Sequence, residues 1–283
     1  MYMSIKILSC HSVFSENAIM ISQRYAIPIE QNFEPKTGDL YITFGAHEQA
    51  VVLYLEQQKR NNDFGYIIYN SEQFGSIHWK NKYYIELCRT NPVFHYSIEL
   101  AREIKDKFKI IPYSYFFFDY MVWDKESIDP HEHYDIVFLG MKNDQRQSIE
   151  KKLKEDYPNL KILFHYDYEY NTPQKITSLL MNTSILLNIP FYENNVLETH
   201  RINKALSCGC KVVSTYSADD DANDFYKDYI YFTSNIPKLL QSELDEPKKN
   251  WATFTKEAGI KLHQDNIYVI HQIFDKLKAR VNP

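Results

Sequence analysis

Short apolar runs recur along this chain, separated by stretches in which apolar residues return every three or four positions. In the first half the runs are Ile5 to Ser9, Asp39 to Phe44, Tyr66 to Tyr69, Pro92 to Phe94 with Tyr96, and Lys109 to Pro112. Runs of this length without strict alternation predict strands buried on both faces. Gln49 to Arg60 predicts a helix carrying Ala50, Leu53 and Tyr54 on one face. Strands alternating with helices predict a parallel sheet.

Over residues 113–133 neither period holds. Tyr113 to Phe118, Met121 to Trp123 and Asp129-Pro-His131 predict a crossing between domains. The alternation then restarts, with strands at Asp135 to Gly140, Lys161 to Phe164, Ser184 to Ile189 and Lys211 to Ser214. Helices fall at Gln145 to Asp156, at Pro173 to Met181 with proline in the first turn, and at Leu197 to Ser207 with Gly209 as the stop. Trp251 to Arg280 predicts a last helix, with Ile267, Ile270, Phe274 and Leu277 as its apolar stripe. The predicted fold class is α/β, with two facing Rossmann-like domains. They are residues 1–118 and 134–250, and a C-terminal helix, 251–283, packs back across them. Two such domains would enclose a cleft at the carboxyl ends of their strands, where ligands of these sheets sit.

Composition changes this picture by exclusion. The 283 residues are 44% hydrophobic and 24% charged, as in a folded globular protein. Only seven glycines occur, and neither GxGxxG nor GxxxxGK[ST] is among their settings. The net charge of −5 is spread along the chain with no basic stripe, which argues against polymeric nucleic acid as a partner. Cys10, Cys88, Cys208 and Cys210 have no metal-site spacing. With no leader pattern and no apolar run near the ~20 residues of a membrane span, a cytoplasmic protein with reduced thiols and no transmembrane segment is expected. The 23 tyrosines and 17 phenylalanines serve either as core or as stacking surfaces for sugars and bases.

The most informative segment runs from Asn188 to Ser214: a buried strand, a loop, a helix beginning near Asn194 to Val196, then Gly209 and a Val-Val strand. Free amides and the positive end of that helix suit a diphosphate. Glu198 falls in its first turn, where a carboxylate either complements the dipole or reaches a ribose diol. This segment resembles the donor-binding signature of the GT-B glycosyltransferases, which have two facing Rossmann domains. The resemblance is strongest over residues 134–233. It implies a nucleotide-sugar donor, UDP-linked by family habit, as co-substrate, with no other cofactor and no metal ion. By the same resemblance Glu198 binds the ribose hydroxyls, and the amides of Asn195 and Val196 meet the phosphates or the sugar, beside Asn194. Many relatives carry another glutamate eight positions earlier; here that position is Pro190, and Glu193 does not fit the slot. The loop after the preceding strand, Gly140 with Lys142, Asn143 and Arg146, resembles the family's phosphate-binding loop. Its cations would neutralise the departing diphosphate, or Arg146 is simply an exposed residue at a polar helix entry. His165 and Tyr166 end the next strand near the expected nucleobase, or are surface aromatics, and Thr215-Tyr216-Ser217 ends the strand after the helix. The segment Ile67-Ile-Tyr-Asn-Ser-Glu-Gln73 and the short chain are similar to small single-chain glycosyltransferases of large DNA viruses and bacteria.

In the first half His47 and Glu72 follow strand ends, where catalytic groups collect. Either is the candidate general base for a hydroxyl acceptor, a glycan or a small molecule. Asn17 is a weaker candidate in the first loop. The run Asp219-Asp-Asp221-Ala-Asn-Asp224 looks like the metal motif of the other, single-sheet glycosyltransferase fold, but an exposed loop accounts for it. A non-catalytic nucleotide-sugar or glycan-binding module, motivated by Pro190, and a metal-dependent transferase of that single-sheet fold are the other open readings.

Overall fold

The computed structural model describes residues 4–10, 14–30, 36–61, 65–73, 75–108, 112–115, 133–166, 172–192, 196–239 and 248–256. Their contacts divide the chain into two compact units, whose described residues lie within 4–115 and 133–256. Both are parallel α/β sheets, which matches the fold class expected from the apolar pattern.

In the first unit β1 (Ile5–Ser9), α1 (Ser15–Tyr25), β2 (Leu40–Phe44), α2 (Gln49–Asn61), β3 (Gly65–Asn70), α3 (Lys82–Thr90), β4 (Val93–His95), α4 (Ile98–Phe108) and β5 (Pro112–Tyr115) follow one another. The sheet order is β1-β2-β3-β4-β5, all parallel. Every residue of β2 is buried, and so is β3 from Tyr66 onward, which explains why both read as unbroken apolar runs. Asn81 caps α3 by accepting from the Tyr83 and Tyr84 amides. Two expectations shift here. The last strand was expected at Lys109 to Pro112, but it occupies Pro112–Tyr115, where Tyr113 and Tyr115 alternate with Ser114. Asn17 lies inside α1 rather than in a loop, because Glu16 and the apolar residues behind it continue the helical period.

In the second unit β6 (Tyr134–Leu139), α5 (Asp144–Asp156), β7 (Ile162–His165), α6 (Pro173–Met181), β8 (Thr183–Asn188), α7 (Thr199–Ser207), β9 (Lys211–Ser214), α8 (Asp220–Tyr226), β10 (Tyr231–Phe232), α9 (Ile236–Leu239) and α10 (Trp251–Phe254) alternate. The parallel sheet has the order β10-β9-β8-β6-β7. Ile136, Phe138, Phe164, Leu187, Ile189 and Val213 form its core with Leu153 of α5 and Ile236 of α9. Gly209, with φ +75°, ends α7 in the left-handed region, where a Cβ is strained.

Two more expectations are corrected here. Helix α7 starts at Thr199, so Glu198 is its N-cap residue and makes no capping hydrogen bond; Val196 and Leu197 are buried ahead of the helix. The acidic run is no exposed loop. Asp219 is buried and caps α8 by accepting from Ala222 N at 2.9 Å, and Asp220 and Asp221 complement the dipole of its first turn. Asn194, Asn195 and most of the expected C-terminal helix, residues 257–283, lie outside the described residues. Among the described residues no helix is long and apolar enough to cross a membrane.

Candidate functional site

In the second unit the strand order reverses between β6 and β8. Sheets of this order carry ligands at that switch point, beyond the strand carboxyl ends. Here the point is bounded by Gly140, which follows β6, and by Asn188 and Ile189 at the end of β8.

Gly140 has φ +156°, and a Cβ there would stand 2.9 Å from the Phe138 ring, 3.1 Å from the Arg146 guanidinium and 3.2 Å from that of Arg201. Only a bare backbone fits beneath two arginines. Arg146, on the first turn of α5, is 1% exposed. Its guanidinium donates to the Ile189 carbonyl at 2.6 and 3.2 Å and to the Met141 carbonyl at 2.7 Å. The Phe138 and Phe191 rings lie 4.8 and 5.2 Å from it. Arg201, on the first turn of α7, donates to Asn188 Oδ1 at 3.1 Å, and Asn188 in turn donates to Ser214 Oγ at 3.0 Å. Glu198 joins the two cations: one oxygen pairs with Arg146 at 3.5 Å, the other with Arg201. Two guanidiniums against one carboxylate leave a positive excess in a half-buried setting, which favours an anion.

Sequence reading placed Arg146 in the phosphate-binding loop; the structure places it on the first turn of α5, bound to the Met141 carbonyl of that loop and to the Ile189 carbonyl beyond β8. Asn143 caps α5 by accepting from Arg146 N at 2.8 Å and ties the loop to the next one by donating to Phe191 O at 3.1 Å. Lys142 is exposed, 5.9 Å from the Tyr166 ring. His165 accepts from Gly140 N at 3.2 Å through its carbonyl. Tyr166 packs its ring against Phe138 and Phe164 and donates to Glu150 at 2.7 Å. Burial and the Glu150 carboxylate hold its phenol protonated, above the ordinary tyrosine range. Val196 is buried. Tyr216 is 60% exposed and stacks on Phe232. Arg201 was missed, although Glu-x-x-Arg at positions 198 and 201 is the i, i+3 spacing of a helical ion pair.

The first unit gathers a different set. Register pairs Phe44 with Tyr69, so His47 and Glu72 both leave the sheet three residues later, at one level. His47 Nε2 stands 3.5 Å from Glu72 Oε1, and His78 Nε2 lies 3.9 Å from Glu72 Oε2. The two imidazoles meet edge to face, 4.6 Å apart. Glu72 is braced throughout: Asn70 accepts from its amide, Asn70 and Trp79 donate to its carbonyl, and Ser76 Oγ donates to its carboxylate at 2.7 Å. Tyr84 donates to Asn70 Oδ1 at 2.7 Å and His95 Nδ1 lies 3.2 Å from Asn70 Nδ2, so a buried network holds the brace. Burial pushes the His95 imidazole down to about 3. His78 was also missed, since it and Glu72 share no helix or strand whose period would link them.

No family model and no curated protein matches the chain. Solved structures do. Anabaena Alr3699/HepE, solved in complex with UDP and glucose, superposes with a TM-score of 0.53 over 98% of this chain and 100% of its own, at 10% identity. An alpha,alpha-trehalose-phosphate synthase (UDP-forming) from Burkholderia vietnamiensis superposes with a TM-score of 0.50 over 95% of this chain and 79% of its own, at 8% identity. The fold is that of the GT-B glycosyltransferases. At these identities the likeness is one of fold, and function rests on the site.

Proposed function

We propose that this protein is a glycosyltransferase that moves a hexose from UDP to a hydroxyl acceptor. The observation that carries the reading is the coincidence of the sheet's switch point with two arginines over a Cβ-less loop. The acceptor oxygen bonds to the anomeric carbon as the bond to the β-phosphate oxygen breaks, and the electron pair leaves on UDP. Arg201 stabilises that diphosphate, with Lys142 as a further cation, so its departure needs no metal ion. Arg146 acts by holding the loop. Glu198, presented at the mouth of α7, accepts from the ribose hydroxyls with the lone pairs that its two arginine contacts do not use. In the first unit Glu72 or His47 takes the acceptor proton. The UDP-bound neighbour of the same fold supports the choice of base.

The test is binding and turnover of UDP-, GDP- and TDP-hexoses by the chelator-treated protein. Turnover of one UDP-sugar in EDTA is expected, and Glu198→Ala is expected to raise its Kd by about tenfold or more. Binding of no donor, or a donor Kd indifferent to Glu198→Ala, would sink the reading. Donor binding without transfer or hydrolysis would instead establish a sensor, the outcome that Pro190 in the glutamate slot favours.

A further inference from the structure

His47, Glu72 and His78 each present one ligand atom, and the three atoms lie within 4.8 Å of one another. We infer that this cluster is a binding site for one divalent first-row transition-metal ion of the Zn²⁺ type. Two imidazoles and one carboxylate are the donor set such ions take with coordination positions left open. Bonds of ~2.0–2.1 Å to a tetrahedral ion need ligand atoms about 3.3 Å apart. Glu72 Oε1 stands 3.5 Å from His47 Nε2 and Oε2 stands 3.9 Å from His78 Nε2, and one ligand atom from each residue lies within 4.8 Å of the other two. Closure therefore asks for side-chain adjustment, not for movement of the sheet.

The surroundings are those of a supported site. Metal-bound carboxylates are normally oriented by a hydrogen bond from outside the ligand set, and Ser76 Oγ supplies one to Glu72 Oε2 at 2.7 Å. The same hydroxyl accepts from His78 N at 3.2 Å, so one serine positions two of the three ligands. The backbone of Glu72 is fixed at both its amide and its carbonyl by Asn70 and Trp79. His47 is 7% exposed, while His78 and Glu72 are 29% and 21% exposed, so the group is open on the latter side. An ion enters there and keeps a position for water or another ligand. The Glu48 carboxylate, 3.6 Å from His47 Nε2, is a further oxygen within reach. A carboxylate with two neutral imidazoles leaves the bound ion with one net positive charge, enough to hold an anion or a hydroxyl at the open position.

The experiment uses the full chain without a histidine tag, stripped with chelator, dialysed, and titrated with Zn²⁺ and then Co²⁺. One equivalent of Zn²⁺ with a Kd below about 1 µM is expected, with a cobalt d–d spectrum showing nitrogen ligation. His78→Gln and Glu72→Gln are expected to weaken binding roughly 100-fold, and Ser76→Ala roughly 10-fold, as removal of an outer-shell partner does. Should the ligand variants fold poorly, Ser76→Ala and the zinc-dependent rise in wild-type Tm decide the matter. No stoichiometric zinc, or zinc binding that His78→Gln and Ser76→Ala leave unchanged, overturns the inference. Both outcomes are read without any sugar donor and so stand apart from the transferase reading. If Glu72 or His47 is the acceptor-side base, zinc also inhibits turnover reversibly, because the ion occupies the lone pair that takes the proton.

Discussion

The two units are built from the same alternation yet prepare different chemistry. In the first, the strand order runs without reversal from β1 to β5, so topology marks no crevice among the described residues. Its polar cluster is instead defined by side chains, with His47, Glu72 and His78 aligned by the shared level at which β2 and β3 end. In the second, the order reverses at β6, and permanent cations gather where it does. Imidazoles and a carboxylate can exchange protons or bind metal. Guanidiniums keep their charge and suit a diphosphate. The comparison teaches that one architecture presents different chemical groups by the residues placed at its strand ends; on the proposed function, these divide anion holding from proton handling.

The largest effect should come from removing Arg146. Arg146→Ala leaves the Ile189 and Met141 carbonyls and the Glu198 carboxylate without their buried partner, at a cost of about 3–5 kcal/mol. Urea denaturation measures this, and a loss under 1 kcal/mol would show that Arg146 does not support the loop. Arg201→Ala keeps that support, so we expect a small stability change but a rise of roughly 10–100-fold in the Kd for UDP, about 1.5–3 kcal/mol for a charge-assisted contact. Calorimetry with UDP alone separates the two arginines; equal effects on binding and stability would erase the distinction. Asn143→Ala removes the cap of α5 and should cost ~1 kcal/mol, with a thermal melt as readout.

A separate effect concerns pH, and it is absent at neutrality. His95 is fully buried and its imidazole is pushed down to about 3, below the ordinary 6.5, by burial. The unfolded chain therefore binds a proton that the folded chain refuses between those values. Stability should fall as pH drops from 6.5 toward 3, and hold above 6.5. His95→Gln should flatten this slope in denaturation midpoints taken across that window. An unchanged slope would place the acid sensitivity elsewhere.

Much of the fold was legible from local pattern. β1, β9 and α6 coincide with their expected residues, because each is a compact apolar run or a helix opened by Thr172 and Pro173. α7 was expected to start earlier, since the apolar Val196 and Leu197 fit a helical stripe while their backbone remains outside the helix. The acidic run was read as a loop because four acids in six residues look solvated, whereas Asp219 is a cap and its neighbours face a dipole.

By itself, then, the sequence determined the alternation of strands and helices, the two α/β halves, and the glycine and glutamate positions of the donor segment. These are properties of period, turn chemistry and spacing, all of them short in range. The strand order that creates a switch point in one sheet alone, the pairing of Arg201 and Arg146 across Glu198, and the meeting of His47 with Glu72 and His78 were decided only in the tertiary structure. Partners separated by 25 or 52 positions leave no periodic trace. Parallel register, which sets neighbouring strand ends level, is what brings them within reach.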